Sequence, residues 1–254
     1  MREHSFQMPA DPRLAVSLAG GRVDIETQSS SEAFVRLSPI TDDSDTRELI
    51  EKAHVELHGN ELVVKVKDKR FRFGHQPEIH VEVRCPEGAA ARLHTASADI
   101  SARGRLGDTK THVASADVEL DHVDGRLEVH SASGDMRVDA VSGDASIHSA
   151  SGDLAIRRSE AAVDVRSASG DTDLGDAGGG PIKVQSASGD VRIAVREGRR
   201  VAVDVRTVSG EASSEIPLDG TDGEDADAPL VEIKVNGVSG DVRIERSQTA
   251  SVES

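Results

Sequence analysis

Residues Ser131–Asp153 read SASGDMRVDAVSGDASIHSASGD, and this stretch sets the period on which the rest of the chain is built. The tripeptide Ser-Gly-Asp begins in it at Ser133, Ser142 and Ser151, nine residues apart each time. Related tripeptides, some with Ala for Gly or Glu for Asp, begin at Ser97, Ser115, Ser169, Ser188, Ser209 and Ser239. A short fixed period of this kind indicates a repeat architecture in which each unit stacks on the next.

Each repeat unit alternates apolar and polar residues. With the signature glycine as position zero, apolar side chains occupy positions two and four, as Met136 and Val138 do after Gly134. Polar residues such as Arg137 lie between them, and a period of two predicts a β-strand with one buried face. Position seven is also small and apolar, so we expect it to be a buried corner; its residues are Val123, Ala132, Val141, Ala150, Ala168 and Ala187.

The signature tripeptide itself is typical of a turn. Glycine accepts positive φ at little cost, and Ser and Asp side chains hydrogen-bond to nearby backbone. Units at Gly107 and Gly125 lack the consensus, whereas Ser97, Ser115 and Ser133, eighteen residues apart, keep Ser-x-Asp. The sequence therefore predicts an all-β fold, a single-stranded parallel β-solenoid with about 18 residues and two short strands per coil.

The N-terminal third departs from the repeat and predicts an irregular β-rich region. We expect residues 1–85 to cap the solenoid, because an uncapped end exposes strand edges. The solenoid then spans residues 86–246, with an acidic loop insertion at 215–229, and residues 247–254 form a disordered tail. Within the cap we expect a loose start over residues 1–13, hairpins around Gly20-Gly21 and Gly59-Asn60, strands over 33–40 and 79–83, and a short helix after Thr46.

Composition narrows the class of protein. The 254 residues carry a formal charge of −16, and only 2% are aromatic. An acidic chain is a poor match for nucleic acid, which requires a basic surface. No apolar run reaches the roughly 18 residues of a membrane helix, and the first residues lack the apolar segment of a signal peptide. With Cys85 as the single cysteine, we expect a cytoplasmic location.

Three stretches carry a resemblance to a known family. They are Gly21-Arg22-Val23-Asp24-Ile25, the strand end Cys85-Pro86-Glu87-Gly88, and the SASGDVRI units best seen at residues 186–193. The chain resembles the bacterial β-strand-repeat family of putative adhesins, the domain of unknown function numbered 4097. The resemblance covers nearly the whole chain and implies the β-repeat fold. It implies no catalytic residues, because the family has none assigned.

A column of aspartates is the first candidate site. One aspartate follows the turn of each coil, and stacked carboxylates should repel one another unless something compensates them. Calcium could do so, as in the nonapeptide G-G-x-G-x-D-x-U-x, but this chain has one glycine per unit and places Asp directly after it. Solvated turn aspartates are the favoured interpretation and a calcium ladder is the alternative; the residues are Asp99, Asp117, Asp135, Asp153, Asp171 and Asp190.

A column of histidines is the second candidate site, and we take it as the candidate binding surface. His94, His112, His130 and His148 are spaced by eighteen residues and point outward, and the column continues as Arg166 and Gln185. Such imidazoles could form a solvated polar ladder, share a transition metal, or bind a partner's carboxylate. Rings in register should also lower one another's pKa, because protonation crowds like charges.

No catalytic motif is present. Nucleophile-elbow, phosphate-loop and zinc-protease patterns are absent, and the repeated serines are turn formers. The sequence predicts a non-enzymatic β-solenoid interaction or scaffold protein that is a monomer or small oligomer. It binds a protein partner and needs no cofactor, no metal, no nucleic acid and no membrane. The alternatives are a cation- or glycan-binding module and a self-assembling filament similar in principle to bactofilin.

Overall fold

The computed structural model describes residues 1–41, 43–66, 77–216 and 228–247, and the chain forms two compact units, Met1–Asp135 and Met136–Ser254. The boundary expected near residue 85 stays a prediction. Elements of the first unit are β1 (Arg2–Gln7), β2 (Arg13–Gln28), β3 (Glu32–Pro39), α1 (Ser44–Lys52), β4 (His54–His58), β5 (Glu61–Lys65), β6 (Ile79–Pro86), β7 (Ala90–Leu106), β8 (Thr109–Ser115), β9 (Val118–Val123) and β10 (Leu127–Ser133). Those of the second unit are β11 (Met136–Val141), β12 (Ala145–Ser149), β13 (Leu154–Ser159), β14 (Val163–Ser167), β15 (Thr172–Ala177), β16 (Ile182–Ser188), β17 (Val191–Val195), β18 (Arg200–Ser209), β19 (Ala212–Ser214), β20 (Leu230–Ser239) and β21 (Val242–Arg246).

Each unit contains a parallel β-solenoid with two strands per coil, which confirms the predicted fold class. In the first unit β8 and β10 pair in parallel, with Thr111 opposite Val129. In the second unit β12 and β14 pair in the same way, with Ile147 opposite Val165. Both pairs join residues eighteen positions apart, so one coil is eighteen residues long, and each coil adds one strand to each of two stacks.

The core follows the predicted alternation. Apolar residues at positions two and four after the glycine are buried in most coils of the two solenoids, with Ile156 and Val165 each 1% exposed, whereas Ala212 of β19 is exposed. Each buried strand face packs against the face of the other stack, which removes apolar surface from water that no single strand could bury alone.

Position seven behaves differently at the two corners of a coil, and the prediction of a buried corner is wrong for four residues. Val123 and Val141 are buried, whereas the alanines are exposed. A serine hydroxyl before each alanine donates to the carbonyl two residues later, at 3.1 Å, as Ser131 does to Ser133. This bond closes the chain into a turn and places the intervening side chain outside; the exposed residues are Ala132, Ala150, Ala168 and Ala187.

The first predicted hairpin is wrong, because β2 is one continuous strand. It pairs in parallel with β7 from Arg13 opposite Ala90 to Glu26 opposite Arg103. Its first half also pairs with β5 and its second half with β6. Gly21 has φ +117° where β2 passes the Ile79 backbone, and a Cβ there would lie 2.1 Å from the Ile79 carbonyl oxygen. Gly21 therefore allows a close backbone approach, and the chain does not reverse there.

Of three other predictions for the N-terminal region, one is wrong and two are confirmed. The loose start expected over residues 1–13 is wrong, because β1 pairs antiparallel with β3, which in turn pairs antiparallel with β6. The hairpin at Gly59-Asn60 is confirmed by the antiparallel pair of β4 and β5. The helix is confirmed as α1, whose first turn is capped by Asp43, since the Thr46 N–H donates to its Oδ1 at 2.7 Å.

The last coils of the second unit stack out of sequence order. Strand β20 pairs with β16 on one side and with β18 on the other, all in parallel. Strand β21 likewise lies between β17 and β19. The coil that comes last in the sequence is therefore inserted between its two predecessors. Most of the acidic insertion (217–227) and most of the tail (248–254) lie outside the described residues.

Candidate functional site

The aspartate column is part of the framework of the fold. In the first unit the Asp117 N–H donates to Asp99 Oδ1 at 3.1 Å, and the Asp135 N–H donates to Asp117 Oδ1 at 2.9 Å. The second unit repeats the bond from Asp171 to Asp153 at 2.9 Å and from Asp190 to Asp171 at 2.8 Å. Each carboxylate thus accepts a backbone N–H of the next coil, and this charge-assisted bond offsets the repulsion along the column.

A glycine precedes four of these aspartates, and the same stacking requires it; they are Asp135, Asp153, Asp171 and Asp190. Gly134 and Gly170 have φ near +114° and +112°, a conformation that side chains other than glycine rarely adopt. A Cβ on Gly170 would lie 2.2 Å from the Gly152 carbonyl oxygen of the preceding coil. These turns are therefore fixed by the fold, and the aspartates in them already accept structural hydrogen bonds through Oδ1. Among the described residues no group of three or more His, Cys, Asp or Glu side chains is arranged to hold a metal ion.

Three of the four predicted histidines meet in the first unit, and we call His94, His112 and His130 the histidine ladder. They lie on β7, β8 and β10, directly opposite one another in the parallel register. The rings of His112 and His130 stack with centroids 4.8 Å apart and planes 5° apart. The rings of His94 and His112 are 6.2 Å apart and tilted by 53°.

The fourth predicted histidine, His148, lies in the second unit. There it is in register with Arg166, which is in register with Gln185, as the sequence predicted for the continuation of the column. The same row then continues with Asn236 of β20 and Arg206 of β18, an extension that sequence order alone could not have given.

A charged pair borders the histidine ladder. Lys110 Nζ donates to Glu128 Oε1 at 2.6 Å, and His130 Nε2 lies 3.1 Å from the same oxygen. These hydrogen bonds, that of Lys110 first, lower the pKa of the Glu128 carboxyl. The pKa of His112 is also lowered, first by burial and then by the charges of His130, Lys110 and His94, while Glu128 opposes the shift. At neutral pH His112 is thus an uncharged ring with one donor and one acceptor nitrogen.

A groove of about 250 Å³ lies beside the ladder on the same strands. Arg92 and Lys110 line it two residues before His94 and His112, and Arg92 Nη1 lies 3.1 Å from Glu61 Oε1. Its wall combines basic and acidic side chains from β2, β5, β7, β8, β10 and the turns before β8 and β10; the charged residues are Arg13, Glu61, Arg92, Asp108, Lys110, Arg126 and Glu128. Sequence reasoning missed this groove, because no local pattern brings residues 61 and 92 together.

Two other features of the molecule involve reactive or charged side chains, the Cys85 thiol and the ion pairs of Arg196. Cys85 is buried, and burial raises the pKa of its thiol to about 12, so it is protonated at neutral pH and unreactive. In the second unit Arg196 donates to both Glu160 and Asp176 at 2.8 Å. This cluster joins three successive coils, and Arg158, whose Nε lies 3.7 Å from Asp176 Oδ2, balances the second carboxylate.

The fold places this protein among the parallel β-solenoids, and an in-register polar ladder lies on its outer face. The sequence profile of the Toastrack DUF4097 family matches residues 14–245. The chain therefore belongs to the Toastrack family, and the resemblance noted from its repeats is confirmed.

Solved structures of similar fold come from bacterial proteins. A putative lipid binding protein from Parabacteroides distasonis is 12% identical, with a TM-score of 0.54 and 96% of each chain covered. A putative adhesin from the same organism is 13% identical, with a TM-score of 0.51, 95% of this chain and 97% of that chain covered. A putative adhesin from Parabacteroides merdae is also 13% identical, with a TM-score of 0.51 and coverages of 95% and 96%. At such identities the likeness concerns the fold alone.

No curated protein sequence matches the chain. Within the described ranges, α1 and the rest of the backbone contain no helix of the length and apolar character needed to cross a membrane.

Proposed function

We propose that this protein is a non-enzymatic scaffold that binds a protein partner through the histidine ladder and the groove beside it. The observation that carries the proposal is the stacking of His112 on His130, 4.8 Å apart, in a row that the fold does not need. Core packing accounts for the apolar positions, and coil-to-coil hydrogen bonds account for the turn aspartates. Neither accounts for histidine at successive outward positions.

The chemistry of this face suits a protein surface better than a reacting substrate. The rings follow one another along the stack instead of converging on a point, as catalytic groups must. The neutral His112 ring offers one donor and one acceptor nitrogen, and the adjoining groove of about 250 Å³ could receive a side chain. The descriptions of two similar structures as putative adhesins agree with a binding role.

The proposal includes the kind of partner and the place where the two proteins meet. We expect a protein partner, met in the cytoplasm, since the single cysteine is buried and the chain relies on no disulfide. Cell fractionation with an antibody against the protein tests the location, and recovery from the cell surface would contradict it.

Affinity capture from native cell extract tests the binding site, with wild-type protein, a ladder variant and a matched control. The ladder variant is His94→Gln, His112→Gln and His130→Gln. The control is His80→Gln with His122→Gln, on β6 and β9 of the other stack in the same unit. Loss of up to three hydrogen bonds should weaken the partner's binding by about tenfold or more.

The control variant should retain the partner with wild-type affinity, measured by calorimetry once the partner is purified. Equal affinity of the ladder variant and wild type would overturn the proposal. A parallel capture in chelator separates the alternatives, because loss of all partners there would favour a cation-binding module instead.

A further inference from the structure

The second unit ends on a strand with one edge unpaired within the described ranges. Strand β18 is the outermost of its stack, and its inner edge pairs along its length with β20. No described strand pairs with its outer edge, and β19 of the same coil pairs with β21 alone. Such an edge presents free N–H and C=O groups and readily accepts another strand.

Strand β18 also covers the end of the hydrophobic core only in part. Val201, Val203 and Val205 of β18 point in the inward phase yet are half-exposed. Their neighbours in β20 on the inner side, Val231 and Val235, are fully buried. On the outward phase Val208 is 84% exposed, the largest value for a large apolar side chain among the described residues of this unit. Burial of these valines would be a source of stability that the isolated unit does not use.

We propose that β18 pairs antiparallel with β18 of a second copy, around a two-fold axis at Val205. In this register Asp204 of each chain lies opposite Arg206 of the second copy, so that two ion pairs form by symmetry. Val205 meets its own copy, and Val203 meets Thr207 of the second copy. The inward valines thereby continue the core from one solenoid into the next.

Charge complementarity selects this register over its neighbours. Centring the axis on residue 204 would place Asp204 opposite itself, and centring it on residue 206 would place Arg206 opposite itself. Residues opposite one another in an antiparallel pair are close enough for like charges to be unfavourable. The two side chains are largely exposed, Arg206 at 72% and Asp204 at 48%; Arg206 Nε lies 3.3 Å from Asp204 Oδ1, and Lys234 Nζ lies 4.0 Å from Asp204 Oδ2.

The symmetry of the pairing limits the assembly to two copies. The same edge is used by both chains, which makes the interface isologous and leaves no further β18 edge free. A filament would need a second interface elsewhere on the molecule. The expected particle is therefore a closed dimer, within the range of a monomer or small oligomer that the sequence predicted.

Cysteine cross-linking of the full chain tests the register. Opposite Cα atoms in an antiparallel pair lie about 4.5–5.5 Å apart, within the range of a disulfide. Val205→Cys should form a covalent dimer under mild oxidation. Val201→Cys should not, because the two copies of residue 201 would be eight residues apart along the strands, about 27 Å. The native Cys85 is buried and does not interfere.

Charge reversal tests the interface independently. Asp204→Arg or Arg206→Asp alone should raise the dimer dissociation constant by about tenfold, and the double variant should restore it. Analytical ultracentrifugation gives the constants, and circular dichroism verifies that each variant is folded. A wild-type monomer up to about 100 µM, equal cross-linking at residues 201 and 205, concentration-dependent fibres, or failure of the double variant to recover would each overturn the proposal.

Discussion

Replacing one inward side chain of the repeat provides the sharpest test of the coil register. Ile156 is 1% exposed and lies between Val138 and Leu174 of the adjacent coils. Ile156→Asp removes about 1.5–3 kcal/mol of burial free energy and adds several kcal/mol for an unpaired carboxylate in an apolar core. The total loss, roughly 5 kcal/mol or more, is comparable with the whole stability of a typical domain. We expect the variant to lose the cooperative unfolding transition in urea.

The neighbouring residue supplies the control. Arg157 is 59% exposed and its Nη2 lies 2.9 Å from Asp139 Oδ2. Arg157→Asp should change the free energy of unfolding by no more than about 1 kcal/mol, as for other exposed ion pairs. If Ile156→Asp yields no soluble protein, Ile156→Ala should still cost about 2–5 kcal/mol. A urea midpoint for the Ile156 variants equal to that of wild type would refute the assigned register.

Three further predictions concern the turns and the histidine ladder. Gly170→Ala should cost about 2 kcal/mol or more in urea unfolding, because its Cβ would meet the Gly152 carbonyl and its φ is +112°; unchanged stability would count against the turn geometry. Asp171→Ala should cost about 1–2 kcal/mol by leaving the Asp190 N–H without its 2.8 Å acceptor, and Asp171→Asn should recover most of it; equal losses in both would argue against this bond. Because folding lowers the pKa of His112, the unfolded chain takes up the proton at a higher pH than the folded protein does. The contribution of His112 to the free energy of unfolding is therefore complete above pH 6.5 and is lost as the pH falls below 6.5 toward the folded pKa. His112→Gln should flatten that slope in pH-dependent urea titrations, and an unaltered slope would exclude His112 as its source.

The sequence predicted those features that depend on a strict period. An eighteen-residue step places residue n beside residue n + 18, so the alignment of His112 with His130 followed directly once the coil length was known. The alternation of two inward positions also followed, because side chains on a strand point to opposite faces in turn. The hydrogen bonds of the aspartate column could also have been expected, because stacked carboxylates need hydrogen-bond donors nearby.

Other features depend on information that the repeat does not contain. The coil of β20 and β21 and the coil of β18 and β19 carry the same pattern, so the pattern cannot say which of them stacks on β16. Gly20-Gly21 carries the signal of a tight turn, yet tertiary stacking on β7 keeps the chain parallel there. The exposed alanines depend on serine hydroxyl bonds within the turn, and the groove depends on strands distant in sequence.

The most direct test of the account is cross-linking within the histidine ladder, because both the fold and the proposed binding surface rest on its register. In the double variant His112→Cys with His130→Cys, the two residues are directly opposite on neighbouring strands, where Cα atoms about 4.8 Å apart permit a disulfide. In the variant His94→Cys with His130→Cys, the residues are two coils apart, about 9.6 Å, beyond disulfide reach. Mass spectrometry of oxidised peptides should find the intramolecular 112–130 bridge and no intramolecular 94–130 bridge, whereas absence of the first or equal formation of both would contradict the eighteen-residue coil.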